Sequence, residues 1–362
     1  MLDFTSALYL GLEHASRELP AWDRLTLGKP AALEPQPGAG RVERRLAALI
    51  GCERTLLVTS SLHLFWDLFT LLAQDNVNIF LDADSYPIIQ WGVERAACSG
   101  TLTKRFKPHD HEALKRVLAS TDGRPPVIVT DGYCPRCGRL APIREYLALA
   151  EARRGFVVVD DSQALGIFGK PSLGTIYGTG GGGSMQRAGI ISDRLIIGSS
   201  LAKAFGVPVA VLAGSAEVVG DFESRSATRV HCSPPSAADI AATHRALNIN
   251  ESYGDSLRAV LAQHVSRFRK GLRKLGLIAI PSPFPLQPIH LPEDIEVQRV
   301  HEQLSARGVE AVLHRGDRSK NARISFVITA RHSRSDIDQT LSLMTCILAN
   351  QKRSATRREL TR

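Results

Sequence analysis

The sequence predicts an α/β fold: a mostly parallel sheet in a large domain, then a smaller α+β unit. Two observations predict it. Short apolar segments alternate with helix-like patterns through the first part of the chain. After about residue 240 that alternation gives way to one long helical stretch, a few shorter strands and a final helix. Strand–helix alternation implies a sheet covered on both faces, with ligands at the carboxyl ends of its strands.

Seven segments read as the strands of the large domain: TLLVT (55–59), NIFL (78–81), TLTKRF (101–106), PVIVT (126–130), FVVVD (156–160), RLIIG (194–198) and VAVLAG (209–214). Between them lie helices. VERRLAALIG sets Val42, Leu46, Leu49 and Ile50 on one face. PIREYLALAEARRG opens on proline and closes on Gly155, as helix ends prefer. Beyond the long helix, strands are expected at 277–281, 287–290, 309–313 and 322–328, before the helix SDIDQTLSLMTCILAN. The glycine-rich GTGGGGSMQRAG (178–189) reads as a flexible linker and lacks the spacing and lysine of a Walker loop.

Composition narrows the class. The 362 residues are 44% hydrophobic and 22% charged, which suits a globular chain with a sizeable core. No apolar run reaches the roughly 18–20 residues of a membrane span. The amino terminus carries Asp3 and no basic leader, so no secretory signal is expected. Six scattered cysteines suggest thiols in a reducing cytoplasm. The net charge of +9 lies partly in the tail KRSATRREL, expected to be solvated and disordered. No basic stripe interleaved with aromatics argues for nucleic acid.

Asp160 ends a strand that is otherwise apolar. A buried carboxylate is costly unless it meets a cation, and a protonated pyridine nitrogen is one such cation. A helix cap or a satisfied turn aspartate is the other reading. In IIGSSLAKAFGVPVAVLAG, Lys203 follows a strand and a pair of serines. A lysine held in a cleft can lose its proton and form a Schiff base; an isolated lysine is usually solvated. The order of the two motifs is the stronger signal: strand–Asp–x–x–Gln, then strand–Ser–x–x–Lys–Ala–Phe–Gly.

These motifs, with DFTSALYLGL, VERRLAALIGCERTLLVTSS, IFLDADSYPIIQWG, VTDGYCPRCGRLAP, VVVDDSQALGIFG and ARISFVITARHS, resemble in order those of the α-oxoamine synthase family. That family belongs to the fold-type I pyridoxal-phosphate (PLP) enzymes, and the resemblance covers nearly the whole chain. It implies a seven-stranded, mostly parallel sheet in a PLP-binding domain at 41–243. An N-terminal segment at 1–40, a small α+β C-terminal domain at 244–350 and a basic tail at 351–362 complete the expected organisation.

The resemblance also implies roles. Asp160 would face the pyridine nitrogen, and Lys203 would form the internal aldimine and move the α-proton. Tyr86 stands where the family has a histidine stacked on the cofactor ring. Ser61 and Leu62 would give backbone N–H groups to the phosphate, at a helix start. Ser200 replaces a phosphate-binding threonine. Ser233 lies near a residue that reaches the partner subunit's phosphate, which implies a homodimer with interface active sites.

Departures from the family fall around the substrate. Gln163 replaces a histidine that contacts the phenolic oxygen of the cofactor; its amide can donate but cannot titrate near neutrality. Pro135 replaces a serine with the same target. Ser325 replaces the arginine that grips the substrate carboxylate, and Ala7 replaces an asparagine that helps it. Arg323, two residues away on the same strand face, or Arg331 is the candidate substitute. Cys134 and Cys137 form one C-x-x-C; no second pair follows, and His109, His111 and His231 are dispersed in sequence, so ordinary loop thiols are expected rather than a metal or redox site.

The resemblance thus implies a PLP-dependent acyltransferase. It would condense an amino substrate with an acyl thioester on CoA or a carrier protein, and the basic charge suits such a polyanion. An aminotransferase or other lyase on an atypical amine is the second reading. A cofactor-keeping dimeric scaffold without turnover is the third. No metal, nucleic acid or membrane partner is expected.

Overall fold

Seven strands form the central sheet: β1 (Arg54–Val58), β2 (Asn78–Asp82), β3 (Thr103–Phe106), β4 (Pro126–Asp131), β5 (Phe156–Asp160), β6 (Leu195–Ser200) and β7 (Ala210–Gly214). The computed structural model describes residues 1–277, 282–293, 295–314 and 322–360, with side chains described to residue 351. The sheet order is β1-β7-β6-β5-β4-β2-β3. β7 runs antiparallel to both of its neighbours, and every other pairing is parallel. Each strand expected in the large domain is found, with ends displaced by a residue or two. Of the strand expected at 277–281, positions 278–281 lie outside the described residues.

Helix α1 (Ala39–Ile50) buries Val42, Leu46 and Ile50, the face its spacing sets. Helix α2 (Ser61–Gln74) begins where the Ser60 hydroxyl accepts the N–H of His63, an ordinary N-cap. It lays Leu64, Phe65 and Leu68 against Leu81, Val129, Val158 and Ile196 of the sheet, all buried in one core. Helix α3 (Pro87–Cys98) starts on proline and crosses α2 at Gly92. A Cβ on Gly92 would come within 2.5 Å of the Phe69 ring and 2.7 Å of the Phe65 carbonyl, so only glycine permits that approach.

The chain divides into two units. The larger holds Leu12–Cys134 and Arg139–Asp255, with the whole seven-stranded sheet. The smaller holds Met1–Gly11, Pro135–Gly138 and Ser256–Arg362. Within the smaller unit, Leu286–Ile289, Arg323–Val327 and Val312–His314 form an antiparallel three-stranded sheet with Arg323–Val327 in the middle. Leu2–Asp3 pairs in parallel with Val309–Glu310. Phe4 then packs on Phe268, Phe326 and His332, which fastens the first residues of the chain to this unit. The helix Arg334–Leu360 ends it. No helix among the described residues is long and apolar enough to cross a membrane.

Candidate active site

Side chains alternate along a strand with a period of two. Val129 and Val158 face α2, so Asp131 and Asp160, two residues on, face the same way. The parallel register of β4 and β5 sets Asp131 directly beside Asp160. Both carboxylates are buried at the carboxyl edge of the sheet. Burial raises Asp160 above the usual carboxylate range; Lys203 and the hydrogen bonds of Ser162 pull the other way. Burial, with Asp160 alongside, raises Asp131 well above that range.

Lys203 sits half-buried on the turn after β6. Its amine lies 5.8 Å from the centroid of the Tyr86 ring. Tyr86 is the N-cap of α3, and its backbone N–H donates to both oxygens of Asp131 at 3.1 Å. Ser162 links the two strand ends: its N–H donates to Asp160 Oδ1 at 3.0 Å, and its hydroxyl accepts the N–H of Ser200 at 2.8 Å. Ser200 Oγ in turn accepts the N–H of Ala202 at 3.3 Å and so shapes the lysine turn. The structure thus brings Asp160, Lys203, Tyr86 and Ser200 to one edge of the sheet.

The first turn of a helix leaves N–H groups without partners inside the helix. Ser60 takes that of His63, and Ser61 and Leu62 open the helix beside it. Ser233 is exposed, and its carbonyl accepts the Thr59 hydroxyl at 3.0 Å, just before this turn. Asp67, buried on α2, accepts the Thr228 N–H at 2.9 Å, the Thr228 hydroxyl at 2.7 Å and the Ser226 hydroxyl. Those bonds fasten the segment leading to Cys232 and Ser233 against α2. A buried acid at the sheet edge, a lysine amine under an aromatic ring on the neighbouring turn and a helix start together fit pyridoxal phosphate.

Asp160 and Asp161 point to opposite faces, as neighbours on an extended chain must. Asp161 is buried on the far side, where it accepts the N–H of Ser184 at 3.0 Å and also its hydroxyl. Burial pushes its carboxyl up to about 7 against those bonds. The glycine-rich stretch is consequently not the free linker its composition suggests. Gly182 pairs with Leu165 and Thr179 with Lys170, and a Cβ on Gly183 would come within 2.0 Å of the Asp161 carboxylate. Glycines serve there for close backbone approach rather than for flexibility. Gln163 is half-buried on the turn between Asp161 and this loop.

Three functional features went unassigned in the sequence. Asp131 ends PVIVTD as Asp160 ends FVVVD, and that repeated pattern was the signal that pointed to it. Ser162 carried no signal beyond its place next to two aspartates. Gly166 has φ +84°, and a Cβ there would fall 2.5 Å from the Ala204 methyl, so it permits the packing of the lysine turn.

The residues expected around the substrate belong to the smaller unit. Ser325 is fully buried on the central strand of its sheet, and its hydroxyl has no hydrogen-bond partner. Arg323 and Ala7 are half-buried, and the Ala7 carbonyl accepts the Tyr9 N–H at 2.8 Å. Arg331 is exposed. All six cysteines are free thiols. His109, distant from the C-x-x-C in sequence, brings a ring nitrogen to within 4.8 Å of Cys134 in the larger unit; Cys137 falls in the other unit. Asp110, the residue after His109, caps the helix that follows by accepting the N–H of Ala113 at 2.8 Å.

Comparison with known proteins agrees with this geometry. The family model described as aminotransferase class I and II matches residues 7–342. The chain is 26% identical over 312 residues to 8-amino-7-oxononanoate synthase of Nitrosococcus oceani, spanning 85% of this chain and 79% of that one. With the same enzyme of Aromatoleum aromaticum it shares 30% over 300 residues, 82% and 74% of the two chains. Serine palmitoyltransferase of Sphingomonas wittichii superposes with a TM-score of 0.83 at 18% identity, covering 96% of this chain and 87% of that one. 8-Amino-7-oxononanoate synthase of Francisella tularensis gives 0.72 at 20% identity, covering 97% and 98%. The chain belongs to the aminotransferase class I and II family of fold-type I PLP enzymes, among the α-oxoamine synthases.

Proposed function

We propose that this protein is a PLP-dependent acyltransferase that joins an amino substrate to an acyl group delivered as a thioester. The observation that carries the reading is the buried Asp160 at the carboxyl edge of the sheet, with the Tyr86 ring 5.8 Å from the amine of Lys203 on the turn after β6. The cofactor, when bound, supplies an electron sink for the α-carbon of the amine. Asp160 holds the proton on the ring nitrogen. Lys203 anchors the cofactor and then moves the α-proton. Tyr86 would stack on the ring, Ser61, Leu62 and Ser200 would hold the phosphate, and the Gln163 amide would donate to the phenolic oxygen. Ser233 reaches the phosphate of a second copy, which makes the working form a homodimer in the cytoplasm.

The substrate departs from a simple amino acid. A buried serine at 325 and an alanine at 7 supply no fork for a carboxylate. Arg323, or Arg331, is the candidate for whatever acidic group the amine retains.

The test begins with apoprotein and PLP. Visible absorbance should appear in the wild type and be lost in Lys203→Ala. Amines are then screened with acyl-CoA for release of free thiol. Absence of PLP binding overturns the reading altogether. Formation of a 2-oxo acid without thiol release makes the protein an aminotransferase instead.

A further inference from the structure

Asp131 has no assigned part in the reading above, yet it touches two members of the site. Its two oxygens share the backbone N–H of Tyr86, each at 3.1 Å. Tyr86 itself is about half exposed, so side-chain packing does little to fix it. The Asp131 bond ties the start of α3 to the end of β4 and so places the Tyr86 ring over the Lys203 amine. On its other side Asp131 stands in register with Asp160 on the adjacent parallel strand. Two buried carboxylates side by side on adjacent strands do not both carry full charge; such pairs share a proton. Asp82 adds a third carboxylate on the next strand, pointing to the opposite face, where it accepts the N–H groups of Asp84 and His109.

We propose that Asp131 is a positioning residue of this site: it anchors Tyr86 above Lys203 and is the uncharged member of the pair, leaving the negative charge to Asp160. The inference rests on the PLP reading only for its effect on cofactor affinity. The anchoring is a property of the chain alone. Burial acts on Asp131 in the same sense, since it raises this carboxyl well above the ordinary range.

Two measurements test it. The first is amide hydrogen exchange without cofactor. Exchange over segment 84–88 should rise about tenfold in Asp131→Ala and stay near the wild-type rate in Asp131→Asn, since one lost hydrogen bond corresponds to about that factor. The second is PLP affinity by absorbance titration. Asp131→Ala should weaken binding about tenfold, and Asp131→Asn, which keeps an acceptor and no charge, by no more than about threefold. In a Tyr86→Ala background, Asp131→Ala should add under about twofold, because the two residues act as one unit. Where Asp131→Ala does not fold, Asp131→Ser, too short to reach Tyr86, replaces it with the same expected losses. Unchanged exchange in Asp131→Ala overturns the anchor. An Asp131→Asn protein as weak as Asp131→Ala overturns the uncharged role. A wild type that binds no PLP overturns the functional reading and leaves the exchange result to decide the anchor.

Discussion

Asp161 accepts hydrogen bonds from both the backbone N–H and the hydroxyl of Ser184. This one carboxyl holds the glycine-rich loop to the end of β5. It lies one residue from Asp160 and on the other face of the chain, so it serves the scaffold and not the cofactor.

Its titration makes stability depend on pH. Burial moves the Asp161 carboxyl from 3.8 up to about 7. Between those values the folded chain holds a proton that the unfolded chain has released. The contribution of Asp161 is therefore fully present below the unfolded value and is lost as pH rises through the folded one, with a slope of up to about 1.4 kcal/mol per pH unit. Urea unfolding of wild type and Asp161→Asn, compared across this window, should show a slope shallower in the variant by up to about 1.4 kcal/mol per pH unit.

Gly166 sets a second prediction. Its φ of +84° and the 2.5 Å that a Cβ would leave to Ala204 both exclude a side chain. Gly166→Ala should destabilise the larger unit by about 2 to 4 kcal/mol, from left-handed strain and overpacking together. Because Ala204 follows Lys203, the same variant should weaken PLP binding. A thermal shift paired with a cofactor titration reads both effects.

Ser325 gives a prediction of opposite sign. Its buried hydroxyl has no partner, and an unsatisfied polar group costs about 1–3 kcal/mol. Ser325→Ala should leave stability unchanged or raise it by about 1 kcal/mol. Ser325→Arg, by contrast, should fail to create a carboxylate grip, because the position is fully buried and a guanidinium there disrupts the sheet. Denaturant midpoints of the two variants, with glycine binding measured for any folded Ser325→Arg protein, check this.

Local patterns were legible because they arise from short-range rules. The seven strands, the proline at the head of PIREYLALAEARRG and the long helix, found at Ala237–Lys274, followed from period and end chemistry. The assignments of Asp160 and Lys203 needed motif order as well, since either residue alone has a commonplace reading. Asp131 was equally visible as a strand-ending acid. Its partners were not, because they are residues 45 positions back and 29 positions on, brought to it by the start of α3 and by strand register.

The glycine-rich loop marks the boundary between the two sources of information. Composition cannot distinguish glycines that confer freedom from glycines that permit close approach; the carboxylate of Asp161 against Gly183 decides it. The alternation of strand and helix, and the residue types at each strand end, belong to the sequence alone. Which carboxylate faces the lysine, which holds a loop and which holds Tyr86 belongs to the tertiary structure. The physical reason is that burial and register set the electrostatic surroundings of an acid, and both depend on chain segments far apart in sequence.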